Sequence, residues 1–517
     1  MALTFESGLD SLMHFVGLKG EEAYHANAAD PLHAAFRAKA AVHAGPMGMP
    51  MIWALARGKL DSLSNRKREG KALAYIHVPF CQTRCLYCMF YQNAYTDELA
   101  DRYTDLLIKE MQIWADRPVQ KEGDICALYL GGGTPSALSA ANLSRILKAA
   151  HTYLPLAADC EITLEGRMHD MTTERLDAAV KGGVNRVSLG VQTFNDEIRL
   201  AMQRLDDKDE MVKRIELLAQ YPQIATVIDL IYGFPMQTES VWENDVRTAA
   251  ALPLDGVDCY QLNLFQKSPL AKRIEAGKMP PAATLAQAAD QFAASDAILS
   301  ADPNWERISN THWRRTPKER NIYNSLGKGA CDCLAFGCGA GGKLFGHAFM
   351  QERNLAAWEK QVMRGEKPVF ALMKPTANWH LLRTVACAVE NGPFNLTEIG
   401  ASFGKDVDSA AASLLEQWIA AGLLEKPKTP TTRPLPECSG TSQWRNFWSM
   451  SFRSDCERKR DFFWIQSRRH TKRIFCPELA VNLLHNRKRM CIMRILRFRR
   501  THNLICKTET AEGWQSG

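Results

Sequence analysis

No apolar run in this 517-residue chain approaches the ~18 residues needed to cross a bilayer, so no membrane-spanning helix is expected. The opening stretch, MALTFESGLDSLMHFVG, lacks both a basic start and a compact apolar core and does not read as a secretory signal. Without such a signal, the 15 cysteines read as reduced thiols or metal ligands rather than a disulfide framework, and the expected compartment is the cytoplasm. Basic charge is also scarce over most of the chain. Residues 430–517 hold 18 Lys and Arg against 7 Asp and Glu, so the net +7 divides into +11 there and −4 over the first 429 residues. A mildly acidic body carries no nucleic-acid footprint, and no nucleic-acid partner is expected. Hydrophobic content of 46% and charged content of 23% are ordinary for a globular enzyme, and the length suggests two to four domains.

What is present is a tight group of thiols. Cys81, Cys85 and Cys88 lie in YIHVPFCQTRCLYCMFYQNAY with the spacing C-x3-C-x2-C, directly after the apolar run from Leu73 to Val78. Four-iron clusters are held by cysteine thiolates, and three protein thiolates leave one iron open to a substrate or cofactor. That pattern suggests a reactive cluster more than an electron relay. The competing readings are an incomplete zinc site, although structural zinc usually takes four closed ligands, and unrelated buried thiols.

From Leu73 a regular alternation begins. Short β-rich apolar runs fall at LAYIHV (73–78), ICALYL (125–130), CEITLE (160–165), NRVSLGV (185–191), TVIDLIYG (226–233) and VDCYQLNLF (257–265). Helical patterns separate them, first Thr96 to Trp114, then one from Ala140 and one after MTTER. Strand–helix alternation implies parallel pairing with right-handed crossovers. Six such units predict an α/β fold, a partial (β/α)6 TIM-type barrel, while the pattern alone equally admits a closed eight-fold barrel or a doubly wound sheet. In either barrel the chemistry belongs at the carboxyl ends of the strands. The cysteine loop, GGGTP, Glu165, Gln192 and Asp229 all fall at or just after such ends.

The expected organisation is therefore a leader over 1–72, a core barrel over 73–300 and a Gly-rich extension completing the site over 301–375. Three Gly-marked helical stretches over 376–428 suit a small winged-helix-like module. Over 429–517, PKTPTTRPLPECSGT is a Pro/Thr-rich break, followed by RKR, RRH, RKR and RFRR without sustained periodicity. The tail reads as a segment with no selected fold, from an altered frame or read-through; the alternative is a basic arm.

YIHVPFC…C…C, LYLGGGTPS, NRVSLGVQTFND and VIDLIYGFPMQT together resemble the radical S-adenosylmethionine (SAM) enzymes related to the oxygen-independent coproporphyrinogen dehydrogenase. The resemblance spans about Leu73 to Gly342. FCQTRCLYCMFYQNA, HWRRTPKERNIYN and AFGCGAGG are most similar to the anaerobic haem-degradation methyltransferases, the ChuW/HutW group or anaerobilin synthases. The resemblance implies that Cys81, Cys85 and Cys88 ligate a [4Fe-4S] cluster whose fourth iron takes the amino and carboxylate groups of SAM. It further implies release of a 5′-deoxyadenosyl radical, transfer of a SAM-derived carbon to haem, opening of the ring and loss of iron. Two SAM per turnover and a flavodoxin-type electron donor follow from the same likeness.

The resemblance also supplies a cofactor set. Gly132, Gly133 and Thr134 would offer backbone groups to the methionine end of SAM, since glycine lets a ligand come close. Glu165 would accept from the SAM ammonium or ribose, Gln192 can both donate and accept, and the Arg204 fork suits a carboxylate. Asp229, in the apolar strand VIDLIYG, requires bonding partners. Tyr75, six residues before Cys81, matches a tyrosine near the cluster. No catalytic residue beyond the cluster is assigned. Taken without the family, GGGTP is a common strand-to-helix turn, Tyr75 a core aromatic, and the other four ordinary paired polar groups.

Three positions depart from the family pattern. Phe90 stands where the coproporphyrinogen enzymes carry another cysteine, which argues against that decarboxylation. Met89 stands where relatives carry a small or polar residue. Glu319-Arg320-Asn321-Ile322-Tyr323 has no histidine where the haem chaperones have a His-Asn pair, which weakens a chaperone role. His312 is a candidate for the porphyrin side, with Arg314 and Arg315 for propionates or as a solvated basic turn. Cys331, Cys333 and Cys338 are either a second metal site or unconnected thiols around a glycine turn.

Overall fold

The computed structural model describes residues 48–420 except Tyr91, together with Leu424, Gln466–Ser467 and Lys472–Arg473. The leader up to residue 47 and nearly all of the tail lie outside the described residues; the described end of the leader is not irregular, since Met49–Pro50 pairs antiparallel with Met373 and Lys374 and a helix runs over Trp53–Ser64.

Six parallel strands form the centre: β1 (Ala72–Val78), β2 (Ile125–Gly132), β3 (Leu156–Gly166), β4 (Arg186–Gln192), β5 (Ala225–Tyr232) and β6 (Gly256–Gln261). Each pairs in parallel with the next. Parallel neighbours cannot be joined by tight turns, so helices cross between them. These are α1 (Asp97–Ile113), α2 (Ala140–Tyr153), α3 (Thr173–Lys181), α4 (Asp196–Ala201), α5 (Lys208–Leu218) and α6 (Glu239–Ala251), with α7 (Leu285–Ala301) after β6. Each starts where the sequence supplies a cap. Thr96, Ser139, Thr172, Asn195, Asp207 and Thr238 each accept a backbone N–H of the first turn, and Thr284 with Gln287 forms a reciprocal capping box.

The inner faces of these helices bury Leu107, Met111, Leu143, Ile146, Ile215 and Val246 against the sheet. Each such side chain contributes roughly 1.5–3 kcal/mol of transfer free energy. Two boundaries differ from the sequence reading. The sixth strand stops at Gln261, before Asn263 and the exposed Leu264 and Phe265. The third strand starts at Leu156, ahead of the CEITLE run, whereas the second helix begins at Ala140 behind its Ser139 cap, as the pattern predicts.

The sheet grows beyond six strands at both edges, to thirteen. β7 (His312–Arg314) runs antiparallel to β6. On the other side β8 (Asp332–Phe336) lies parallel to β1, followed by the antiparallel strands β9 (Gly341–Leu344), β10 (His347–Gln351) and β11 (Val369–Lys374). α8 (Leu355–Met363) connects β10 to β11. Glu110 of α1, fully buried, binds this extension to the barrel. It accepts from Gly337 N–H at 2.7 Å, Gln351 Nε2 at 2.8 Å and Trp358 Nε1 at 3.2 Å, and pairs with Lys367 Nζ at 2.5 Å. A buried carboxylate without those donors would be costly. Three helices follow: α9 (Trp379–Asn391), α10 (Leu396–Ser402) and α11 (Val407–Ala420). Among the described residues no helix is long and apolar enough to cross a membrane.

Candidate active site

The three thiols sit on the loop leaving β1, at the carboxyl edge of the parallel strands. Phe80–Cys81 pairs with Asn93–Ala94, so the loop closes on itself. Cys81 and Cys85 are buried and Cys88 half-buried. Each sulfur has a donor. Thr134 Oγ1 donates to Cys81 Sγ at 3.3 Å, and the Phe90 N–H donates to Cys88 Sγ at 3.3 Å. Arg167 Nη2 and Arg204 Nη1 reach Cys85 Sγ at 3.5 and 3.7 Å. Burial pushes the Cys81 thiol up, partly offset by the Thr134 hydroxyl. Burial acts on Cys85 too, but the Arg204 and Arg167 guanidinium charges outweigh it and hold this thiol below its ordinary value.

Of the predicted cofactor residues, Thr134 and Arg204 touch the thiols, Gly133 lies against Phe80 at the start of the loop, and Tyr75, Glu165 and Asp229 lie on the strands behind it. Period-two alternation places Glu161, Thr163 and Glu165 of β3, and Arg186, Ser188, Gly190 and Gln192 of β4, on one face of the sheet. The Gly132 N–H donates to Glu165 Oε2 at 3.2 Å. Burial lifts the Glu165 carboxyl to about 7 against that bond. Gly132 has φ +113°, and a Cβ there would stand 2.5 Å from the His77 ring. At Gly133 a Cβ would stand 2.5 Å from the Phe80 carbonyl oxygen, so the turn is closed to larger residues. Gln192 ends β4 at a bulge with φ +73°, an uncommon conformation for a non-glycine residue. Its Oε1 is buried without a hydrogen-bond partner. Arg204 donates to the Gly190 carbonyl and to Tyr87 Oη, the latter at 3.4 Å. Asp229 accepts from Ser188 Oγ at 3.4 Å; burial, then Asp258 and Glu165, keep its carboxyl well above the usual range. Tyr75 Oη lies 3.0 Å from His77 Nδ1.

Sequence reasoning missed four contributors. Arg167, one residue past β3, touches Cys85; His77 links Tyr75 to Gln92, whose Nε2 is 3.2 Å from His77 Nε2; Tyr87 packs edge-on against Phe234 at 5.2 Å. Tyr129 joins Tyr75 and Tyr323 in an aromatic cluster, with ring centroids 4.7 to 6.3 Å apart. Strand parity could have indicated Tyr129, the register partner of the predicted Tyr75.

Other candidates lie elsewhere. His312 is fully buried between Asp258, 2.8 Å from Nδ1, and Glu319, 3.1 Å from Nε2, so it serves an internal charge network. Arg314 pairs with Glu306 at 2.7 Å, and Arg315 Nη1 donates to the Leu252 carbonyl at 2.9 Å. Cys331 Sγ lies 2.8 Å from the Lys71 carbonyl oxygen, and Cys338 is buried beside Tyr103. A cavity of about 200 Å³ lined by Glu161, Arg186, Lys318 and Arg320 opens near the amino end of β4, away from the thiols.

Among the described residues no three His, Cys, Asp or Glu side chains converge on a single ion. A four-iron cube does not require that, because each thiolate ligates its own iron. The residues fit such a cluster and an adjacent ligand: three thiols of one loop, N–H and O–H donors at the sulfurs, a glycine turn and the partnerless Gln192 oxygen.

A partial α/β barrel with a three-thiol loop at its carboxyl edge is the class that fold and site define. The model of the radical SAM superfamily matches residues 75–249. Anaerobilin synthase of Escherichia coli O157:H7 is 41% identical over 378 residues, 72% of this chain and 83% of that protein. The heme chaperone HemW of Lactococcus lactis is 36% identical over 191 residues, and the chain spans 49% of its length. The structure of coproporphyrinogen III oxidase (HemN) from Escherichia coli superposes with a TM-score of 0.63 at 20% identity, covering 83% of this chain and 92% of that one. The chain belongs to the radical SAM superfamily and, within it, to the family that includes anaerobilin synthase.

Proposed function

We propose that this chain degrades haem without oxygen. It transfers a SAM-derived methyl carbon to the porphyrin, opens the ring to a linear tetrapyrrole and releases the iron. The observation that carries this reading is the 41% identity to anaerobilin synthase across 83% of that protein. Phe90, in place of a further cysteine, weighs against coproporphyrinogen decarboxylation.

In this reading Cys81, Cys85 and Cys88 hold a [4Fe-4S] cluster. When bound, the cluster supplies the electron that breaks a carbon–sulfur bond of SAM. Gly132 and Gly133 present main-chain groups to the methionine end of SAM, and Thr134 holds Cys81. Ionised Glu165 accepts from the ammonium or ribose. Gln192 directs its partnerless oxygen to a donor on the ligand, and Arg204 binds a carboxylate while fixing Tyr87 and the Gly190 carbonyl. Asp229, whose carboxyl is raised by burial and then by Asp258 and Glu165, accepts from Ser188 Oγ and offers its other oxygen to SAM. Tyr75 and His77 orient one another beside the loop. Residues 73–300 carry the chemistry, 301–375 complete the site, 376–428 form the accessory module, and the segment from 429 is dispensable. Two SAM are consumed per turnover, a flavodoxin-type protein is the donor, and the enzyme works in the cytoplasm.

Anaerobic incubation with haem, SAM and a reductant is the test. Decay of the Soret band dependent on SAM supports the reading. An unchanged haem spectrum in protein with an intact cluster contradicts it, and transfer of intact haem to an apo-haemoprotein without SAM consumption indicates a chaperone.

A further inference from the structure

Arg167 belongs to no motif, yet it joins three parts of the site. Its own N–H donates to Ser136 Oγ at 3.1 Å, tying it to the turn after β2. Its Nη1 donates to Thr83 Oγ1 at 2.6 Å, and its Nη2 donates to the Thr83 carbonyl at 2.9 Å and to Cys85 Sγ at 3.5 Å. The guanidinium therefore grips Thr83 twice, inside the loop between the first two thiols, and places a permanent charge beside the second. A lysine ammonium cannot span those three acceptors in one plane. The reduction potential of an iron–sulfur cluster rises with hydrogen bonds to its sulfurs and with nearby positive charge, because the reduced form carries one more negative charge.

We propose that Arg167 is a positioning residue that latches the thiol loop to the β2 turn and raises the reduction potential of the cluster held there. The proposal rests on the cluster reading above and goes beyond it, since it concerns a residue outside the thiol and SAM-binding sets. The step is a one-electron reduction, with the electron supplied by a low-potential chemical reductant and no bond broken.

The experiment is redox titration of the reconstituted full chain without SAM, followed by the paramagnetic signal of the reduced cluster. Wild type, R167Q and R167K are compared, with iron content and thermal melting measured on each. In R167Q the reduced-to-oxidised ratio at a fixed ambient potential should fall about tenfold, a midpoint about 59 mV lower for one electron. R167K should fall between R167Q and wild type. A wild-type midpoint in R167Q overturns the proposal. Should R167Q fail to fold or load, R167K decides: a midpoint below wild type supports the latch, and an equal midpoint overturns it. Failure of the wild type itself to bind about four irons sinks the cluster reading instead, so the two failures are distinct.

Discussion

Glu165, a proposed SAM ligand, is a carboxyl whose charge changes near neutral pH. Burial raises its carboxyl to about 7, so near neutrality it is half protonated in the cofactor-free protein. The ionised form accepts from an ammonium or hydroxyl more strongly than the protonated one. SAM binding to reconstituted protein is therefore expected to tighten as pH rises from about 6 to about 8, by no more than about tenfold per unit. E165Q should remove most of that dependence, as read by titration calorimetry; an unchanged slope in E165Q contradicts the assignment. The stability sign runs the other way. The folded state binds the extra proton between 4.5 and about 7, so the Glu165 contribution to cofactor-free stability falls as pH rises through that window. Among the thiols, C85S should lower bound iron below four and reduce haem turnover below about one-hundredth of wild type, more than loss of an outer contact. Iron analysis with a Soret assay checks it. The thiols were legible because their spacing is local. Arg167 was not, because its bonds to Thr83 and Cys85 span more than eighty residues and leave no local pattern.

At the scale of elements, the barrel interior is held by charge as well as by apolar packing. Arg186 of β4 pairs with Glu319 at 2.9 Å, and His312 of β7 stands between Glu319 and Asp258 of β6. Removing one partner from a buried pair leaves an uncompensated charge, so E319Q should destabilise the fold by about 3–5 kcal/mol in denaturant unfolding. The carboxylates raise His312 against burial to about 9. Its folded value exceeds the unfolded 6.5, so its stabilisation is full below that pH and is lost as pH rises through about 9, on the order of 3 kcal/mol. Thermal melting across that range should show the loss in wild type and not in H312Q. The strands carrying these groups were legible as apolar runs, and their register partners follow from parallel pairing. The network was not, because the Asp258, His312 and Glu319 contacts are long-range and a lone histidine offers no sign of its partners.

At the scale of the whole molecule, the thirteen-stranded sheet takes in strands from Glu306 to Lys374 as well as the six central ones. Its strands β8 to β10 are five residues or fewer and separated by glycine-containing turns, so period-two patterning had little length to act on. The pairing of β8 with β1 joins residues about 260 apart, which no local signal encodes. The composition break near residue 429 has a consequence of its own: a chain ending at Lys428 should keep the cluster, the melting temperature and haem turnover of the full chain, and loss of any of these would assign the basic segment a role. The most direct test of the haem reaction is mass spectrometry of its product, made anaerobically with methyl-labelled SAM. A linear tetrapyrrole carrying the label is the predicted result. Unlabelled, intact haem recovered after SAM has been consumed would contradict it.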